Sequence, residues 1–219
     1  MVITDPASYQ ILSQETAEQG FALPEKAMRP ARRFPARQEI RLYTGGLHVS
    51  RGVSAGAGPA GTPYSVIVDG DLTVDGDLLW STNVGGLLLV TGSVRAVNVL
   101  LSGCPEMAVR GNLTVANAIH GSYDTAGGRH TVDGETTART ILNPPGCTMK
   151  FASNPRAVLI GKMTGYPTHF HFDELSEVVK PDLLDQEGRA DQRKIRETLS
   201  AALGILDSGV RIAPGYDVW

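Results

Sequence analysis

A seven-residue phrase centred on glycine recurs through the middle of the chain, so the fold has to be built from one small unit used several times. The phrase reads Val68-Asp69-Gly70-Asp71-Leu72-Thr73-Val74, then Val90-Thr91-Gly92-Ser93-Val94-Arg95-Ala96, then Val109-Arg110-Gly111-Asn112-Leu113-Thr114-Val115. A fourth copy, Val132-Asp133-Gly134-Glu135-Thr136-Thr137-Ala138, is looser at Thr136. Weaker copies surround Gly45 and Gly161, and the six glycines are spaced 25, 22, 19, 23 and 27 residues apart. Such spacing is the length of one supersecondary unit in a repeat architecture.

Within each copy the apolar positions alternate with polar ones on both sides of the glycine. Period two means strand, and a residue without Cβ suits a sharp bend between two short strands. No amphipathic helix fits between copies, so the units are expected to stack directly as a β-solenoid. Six residues after each glycine, Gly76, Asn98, Asn117 and Thr140 make a second corner. The runs Leu78-Leu79-Trp80, Val99-Leu100-Leu101, Ala118-Ile119 and Ile141-Leu142 then form a third side, giving a triangular cross-section. The column three residues after each glycine, His48, Thr73, Arg95, Thr114, Thr137 and Thr164, is expected to face outward along one flat wall. A coil alone buries almost nothing, and the core exists only once coils stack.

At 219 residues the chain suffices for one sizeable domain. Its formal net charge of -3 argues against general capture of nucleic acid or of an anionic membrane. Its longest apolar runs are far too short to span a bilayer, and Met1-Val2-Ile3-Thr4-Asp5-Pro6 lacks the features of a secretory signal. A cytoplasmic location is the expectation. The two cysteines, Cys104 and Cys147, are too few for a disulfide framework or a four-ligand zinc site and read as buried reduced thiols.

The expected organisation is an all-β protein with helical caps: a parallel β-helix of about five to six coils over residues 41–172, preceded by an N-terminal segment, 1–40, and followed by a helical region, 173–219. Residues 5–19 read as a helix capped by Asp5, with Tyr9, Leu12 and Thr16 on one face. The strip from Pro24 to Arg41 is basic and broken by prolines, and residues 54–63 read as a loop rich in glycine and alanine. In the C-terminal region, Ile195, Leu199, Ala202, Leu203 and Leu206 make one apolar stripe at helical spacing.

Candidate functional residues are few. The loop from His120 to His130 holds two histidines, Tyr123 and Asp124, and Trp80 occupies nearly the corresponding corner of an earlier coil. Trp80, His120, Tyr123 and His130 are therefore expected to line one protein-binding edge, since aromatic residues dominate binding hot spots. His169 and His171 form a His-x-His pair, but only Asp173 stands nearby as a third ligand, so no metal site and no cofactor are assigned. Asp69, Asp71, Asp75 and Asp77 are acidic and close together, as in calcium-dependent lyases, yet turn chemistry accounts for them.

The repeated Val-x-Gly-x-Leu-x-Val phrase, over residues 40–165, resembles the bactofilin-like, polymer-forming β-solenoid proteins of bacteria. That resemblance implies a non-enzymatic solenoid that stacks end to end. The charged C-terminal region departs from it, since covered ends do not polymerise readily. The layout that includes Val178 to Asp185 also looks like solenoid proteins of bacterial toxin and immunity loci. The sequence thus points to a non-catalytic solenoid that binds another protein, as an inhibitor or immunity partner of a toxin. A self-assembling scaffold is the second reading, and a lyase or transferase the third.

Overall fold

In a computed structural model, the described residues are 9–21, 38–50, 53–55, 64–123, 128–143 and 147–161, with isolated positions between 163 and 194. They form a parallel β-solenoid of about five turns with three walls. The first wall stacks β2 (Glu39–Thr44), β5 (Tyr64–Asp69), the second half of β7 (Leu78–Val90), the second half of β9 (Val99–Val109), β12 (Gly128–Val132) and β14 (Cys147–Phe151). On the second wall lie β3 (Leu47–Val49), β6 (Leu72–Val74), β8 (Val94–Ala96), β10 (Leu113–Val115) and the start of β13 (Thr136–Asn143). The third wall takes β4 (Val53–Ala55), the first halves of β7 and β9, β11 (Ala118–Tyr123), the end of β13 and β15 (Arg156–Gly161).

The register turns sequence alternation into columns of like residues, one per coil. Tyr43, Val68, Val90, Val109, Val132 and Phe151 are aligned along the inside of the first wall. Leu78, Val99, Ile119, Ile141 and Leu159 are aligned along the inside of the third, as the apolar runs predict. These residues belong to one continuous buried cluster. Each fully buried aliphatic side chain contributes roughly 1.5–3 kcal/mol, so every coil is stabilised by the ones above and below it.

The first corner is a ladder of glycines. The N–H of Gly92 donates to the carbonyl of Gly70 at 2.9 Å, Gly111 to Gly92 at 2.9 Å, and Gly134 to Gly111 at 3.1 Å. The sixth copy is not the one around Gly161. Val132 pairs with Phe151 and Thr137 with Arg156, which sets Ser153 opposite Gly134, while Gly161 ends β15 opposite Asn143 on the third wall. The second corner also shifts. Leu78 pairs with Val99, and Ile119 with Val99, so Asn98 lies level with Asp77 and Ala118 on the third wall instead of with Gly76 and Asn117.

At the N-terminal side the expected helix is shorter and later. β1 (Gln10–Leu12) runs antiparallel to β2, with Ile11 opposite Arg41, and helix α1 spans Gln14–Gly20. Ser13, not Asp5, is its cap: the Ser13 hydroxyl accepts the Thr16 N–H at 3.1 Å. Tyr9 and Leu12 therefore precede the helix, and Leu12 belongs to the edge strand. Ala17 packs on an apolar patch on the outside of the first wall, made by Ile40, Leu42, Ile67, Leu87, Leu89 and Ala108. The start of the expected 54–63 loop is strand, since β4 includes Ser54 and Ala55. Most of the basic strip, the His169 and His171 pair and the apolar stripe of the C-terminal region lie outside the described residues.

Candidate functional site

The second wall carries the outward row that the repeat predicts. Its first four strands are only three residues long, and the first and third residues of each point inward, as in Leu47, Val49, Leu72 and Val74, all buried. The middle residue must then point out. His48, Thr73, Arg95, Thr114 and Thr137 align in consecutive coils, and the row ends on Arg156, not Thr164. His48, Arg95, Thr114 and Arg156 are exposed, and Thr73 and Thr137 are half-buried. Strand spacing of about 4.8 Å sets the interval between neighbours, so the row is a rigid, regular array of hydroxyl and cationic groups.

The polar residues at its borders are occupied in holding the coils together. Asp71 Oδ1 accepts the Ser93 N–H at 2.7 Å, Ser93 Oγ accepts the Asn112 N–H at 3.1 Å, and Asn112 Oδ1 accepts the Glu135 N–H at 2.9 Å. Each side chain thus supplies an acceptor that the bend removes from the backbone ladder. Thr91 accepts the Gly70 N–H at 2.8 Å and donates to Asp69 Oδ1 at 2.9 Å. Asp77 Oδ1 accepts from Asn98 Nδ2 at 2.8 Å, and Asn98 Oδ1 accepts the Ala118 N–H at 3.1 Å. Asp75 pairs with His48 Nε2 at 2.9 Å. The acidic run Asp69 to Asp77 is therefore engaged in turn and inter-coil bonds, and a shallow depression beside it is lined by Gly45, Gly46, His48, Asp71 and Thr73.

Of the four residues expected to form a contact edge, Trp80, His120 and His130 are enclosed instead of exposed. Trp80 lies inside the third wall, fully buried, with its ring at 6.3 Å from that of Tyr64 and its Nε1 donating to the Gly86 carbonyl at 3.3 Å. His120 is on the opposite side of that wall, in the column Leu79, Leu100, His120, Leu142 and Ile160, and is also fully buried. His130 points into the core from the first wall. Tyr123 ends β11 opposite Gly103. For Trp80 and His120 the physical reason is that β7, β9, β11 and β13 are apolar on both faces in this region, so a side chain on either face is enclosed instead of displayed; His130 lies on the inward face of the first wall.

Two features escape the sequence reading. At the first coil, Arg41 stands over the Tyr64 ring at 4.0 Å and the Tyr9 ring at 4.9 Å, and its Nε bonds Glu39 Oε1 at 2.5 Å. Burial opposes its charge, but the Glu39 hydrogen bond and charge prevail, so its pKa is raised. This cluster packs Tyr9, Arg41, Glu39 and Tyr64 together at the first coil. The second feature is a polar layer inside the fifth repeat, where His130, Thr136, Thr140 and Asn143 are all buried. The looser Thr136, which takes the place of Leu113 in the column, is its only trace in the sequence pattern.

Among the described residues no group of three His, Cys, Asp or Glu side chains is placed to hold a metal. No helix among them is long and apolar enough to cross a membrane. No family model, curated protein or solved structure matched the chain.

Proposed function

We propose that this protein is a non-catalytic binding module that docks another protein on the second wall of the solenoid. The observation that carries this reading is the exposed row His48, Thr73, Arg95, Thr114, Thr137 and Arg156, held at fixed intervals on a wall whose opposite face is core. A rigid array loses little conformational entropy on binding, and its arginines are the side chains best suited to bidentate contacts with carboxylates. The matching partner presents a flat, carboxylate-bearing surface; an inhibitor or immunity role toward a toxin is one form such a pairing takes. The acidic run beside the wall serves the fold, which weakens the lyase reading.

The scaffold reading ranks second because parts of both ends of the first wall are occupied. β1 pairs along the outer edge of β2, and the Tyr166 hydroxyl accepts the Phe151 N–H at 3.0 Å and donates to the Phe151 carbonyl. End-to-end stacking needs those backbone groups free. Affinity capture from the native host with the parent chain and with Arg95→Glu tests the proposal. One partner retained by the parent and lost by the variant is the expected result. Equal capture by both would remove the second wall, and filaments of the purified chain would bring the scaffold forward.

A further inference from the structure

The inward columns of the first wall place Met107, His130 and Met149 next to one another on β9, β12 and β14. Met107 pairs with His130, and His130 with Met149, in unbroken parallel register. All three are buried, with exposures of 1%, 0% and 3%. They share a core with Phe151, whose ring meets His130 edge-on at 5.9 Å. Among the described residues, neither ring nitrogen of His130 has a hydrogen-bond partner. A buried polar group left without a partner is destabilising, and native proteins contain few of them. Ordinary core packing explains the methionines, but it gives no reason for an imidazole between two thioethers where a third apolar residue would pack at lower cost.

We propose that Met107, His130 and Met149 form an internal site for one soft monovalent metal ion of the Cu(I) type. The donor set decides the class. Two thioether sulfurs and one imidazole nitrogen are soft to intermediate, neutral ligands, which favour Cu(I) and disfavour Mg²⁺, Ca²⁺ or Mn²⁺. The absence of an anionic ligand in the set leaves a monovalent ion as the one whose charge is least costly to bury. Methionine side chains are flexible enough to turn their sulfurs toward a common point from adjacent strands. The site differs from the second wall and does not depend on it.

The test uses the whole chain carrying methyl-labelled methionine and labelled histidine, with Ag(I) as a redox-inert probe. Five methionines make the methyl spectrum simple to assign. The expected result is that the methyl signals of Met107 and Met149 and the ring nitrogens of His130 shift together and saturate at one equivalent. Met107→Leu, which conserves volume, is expected to abolish the shift at Met149 while the spectrum elsewhere stays that of the folded chain. Silver taken up only at Cys104 or Cys147, with the two methyl signals unmoved, would overturn the proposal. So would a Met149 shift that survives in Met107→Leu with unchanged affinity.

Discussion

The backbone N–H of Gly92 donates to the carbonyl oxygen of Gly70 at 2.9 Å, and a Cβ added to Gly92 would lie 2.6 Å from the Gly70 carbonyl carbon. The glycine of the repeat is therefore demanded by the coil beneath it. Gly111 and Gly134 repeat the relationship, with Cβ contacts of 2.7 Å and 2.5 Å to the backbone of the preceding glycine. Because the obstruction is backbone, side-chain rotation cannot relieve it. Gly111→Ala is expected to destabilise the chain by about 1–3 kcal/mol or more, the range of overpacked interiors. Gly20→Ala, where none of the described residues lies within 4 Å, is the control and is expected to be near neutral or stabilising. Denaturant unfolding of both variants measures the difference.

Asn98 joins three coils at once. Its amide donates to Asp77 and its carbonyl oxygen accepts from Ala118, and the side chain is fully buried. Asn98→Leu is expected to leave the Ala118 N–H without its acceptor, at a cost of about 1–3 kcal/mol. Asn98→Asp keeps the acceptor but sets a second carboxylate against Asp77, so it is expected to be worse than Asn98→Leu at pH 7 and to recover as the pH falls. Unfolding curves at pH 7 and pH 5 check this. Equal destabilisation of Asn98→Asp at both values would mean that repulsion from Asp77 is not the cause.

His130 makes stability depend on pH in a definite direction. Burial without a partner lowers its pKa from 6.5 to about 4. Between those values the unfolded chain binds the proton and the folded chain does not, so acidification favours unfolding. Stability is expected to be fully present above about pH 6.5, to fall as pH drops toward 4, and to lose about 3 kcal/mol in that window from this residue. His130→Leu, studied with a chelator present, is expected to flatten this part of the profile. If the slope persists unchanged in His130→Leu, other groups carry it.

The repeat made the walls legible because a short strand with one buried face has only one register that keeps Leu72, Val94 and Leu113 inside. The outward row followed from the same alternation. Its last member did not, because Ser153 replaces the expected glycine, and Gly161 offered a stronger local match to the phrase. The contact edge failed for a different reason. Alternation marks inside from outside only when one face meets water, and Leu100, His120, Leu142 and Ile160 are buried on the outer face of the third wall. Nothing in the spacing of Trp80, His120 and His130 distinguishes a displayed edge from an enclosed one. The N-terminal helix was misplaced because Asp5-Pro6 is a strong local start signal. The strand pairing of Gln10–Leu12 with β2 is non-local and leaves no such mark.

That same pairing sets the last expectation. β2 presents six residues along the first coil, including Ile40 and Leu42, and among the described strands of that coil its edge is the longest, since β3 and β4 have three residues each. A flat apolar edge of this length is a template for another chain. β1 covers it with a short strand whose residues Gln10 and Ile11 are exposed, and Arg41 packs over the Tyr9 ring beside it. Combining Gln10→Gly, Ile11→Pro and Leu12→Gly removes the strand propensity of β1 while leaving α1 and its Ser13 cap in place. Light scattering after size exclusion is expected to show one discrete species for the parent at all concentrations and a concentration-dependent series for the triple variant. If the variant stays as discrete as the parent, β1 is not what keeps the first coil from pairing with another molecule, and the Arg41 cluster is the next candidate. Tyr9→Ala with Arg41→Ala would then be the pair to compare.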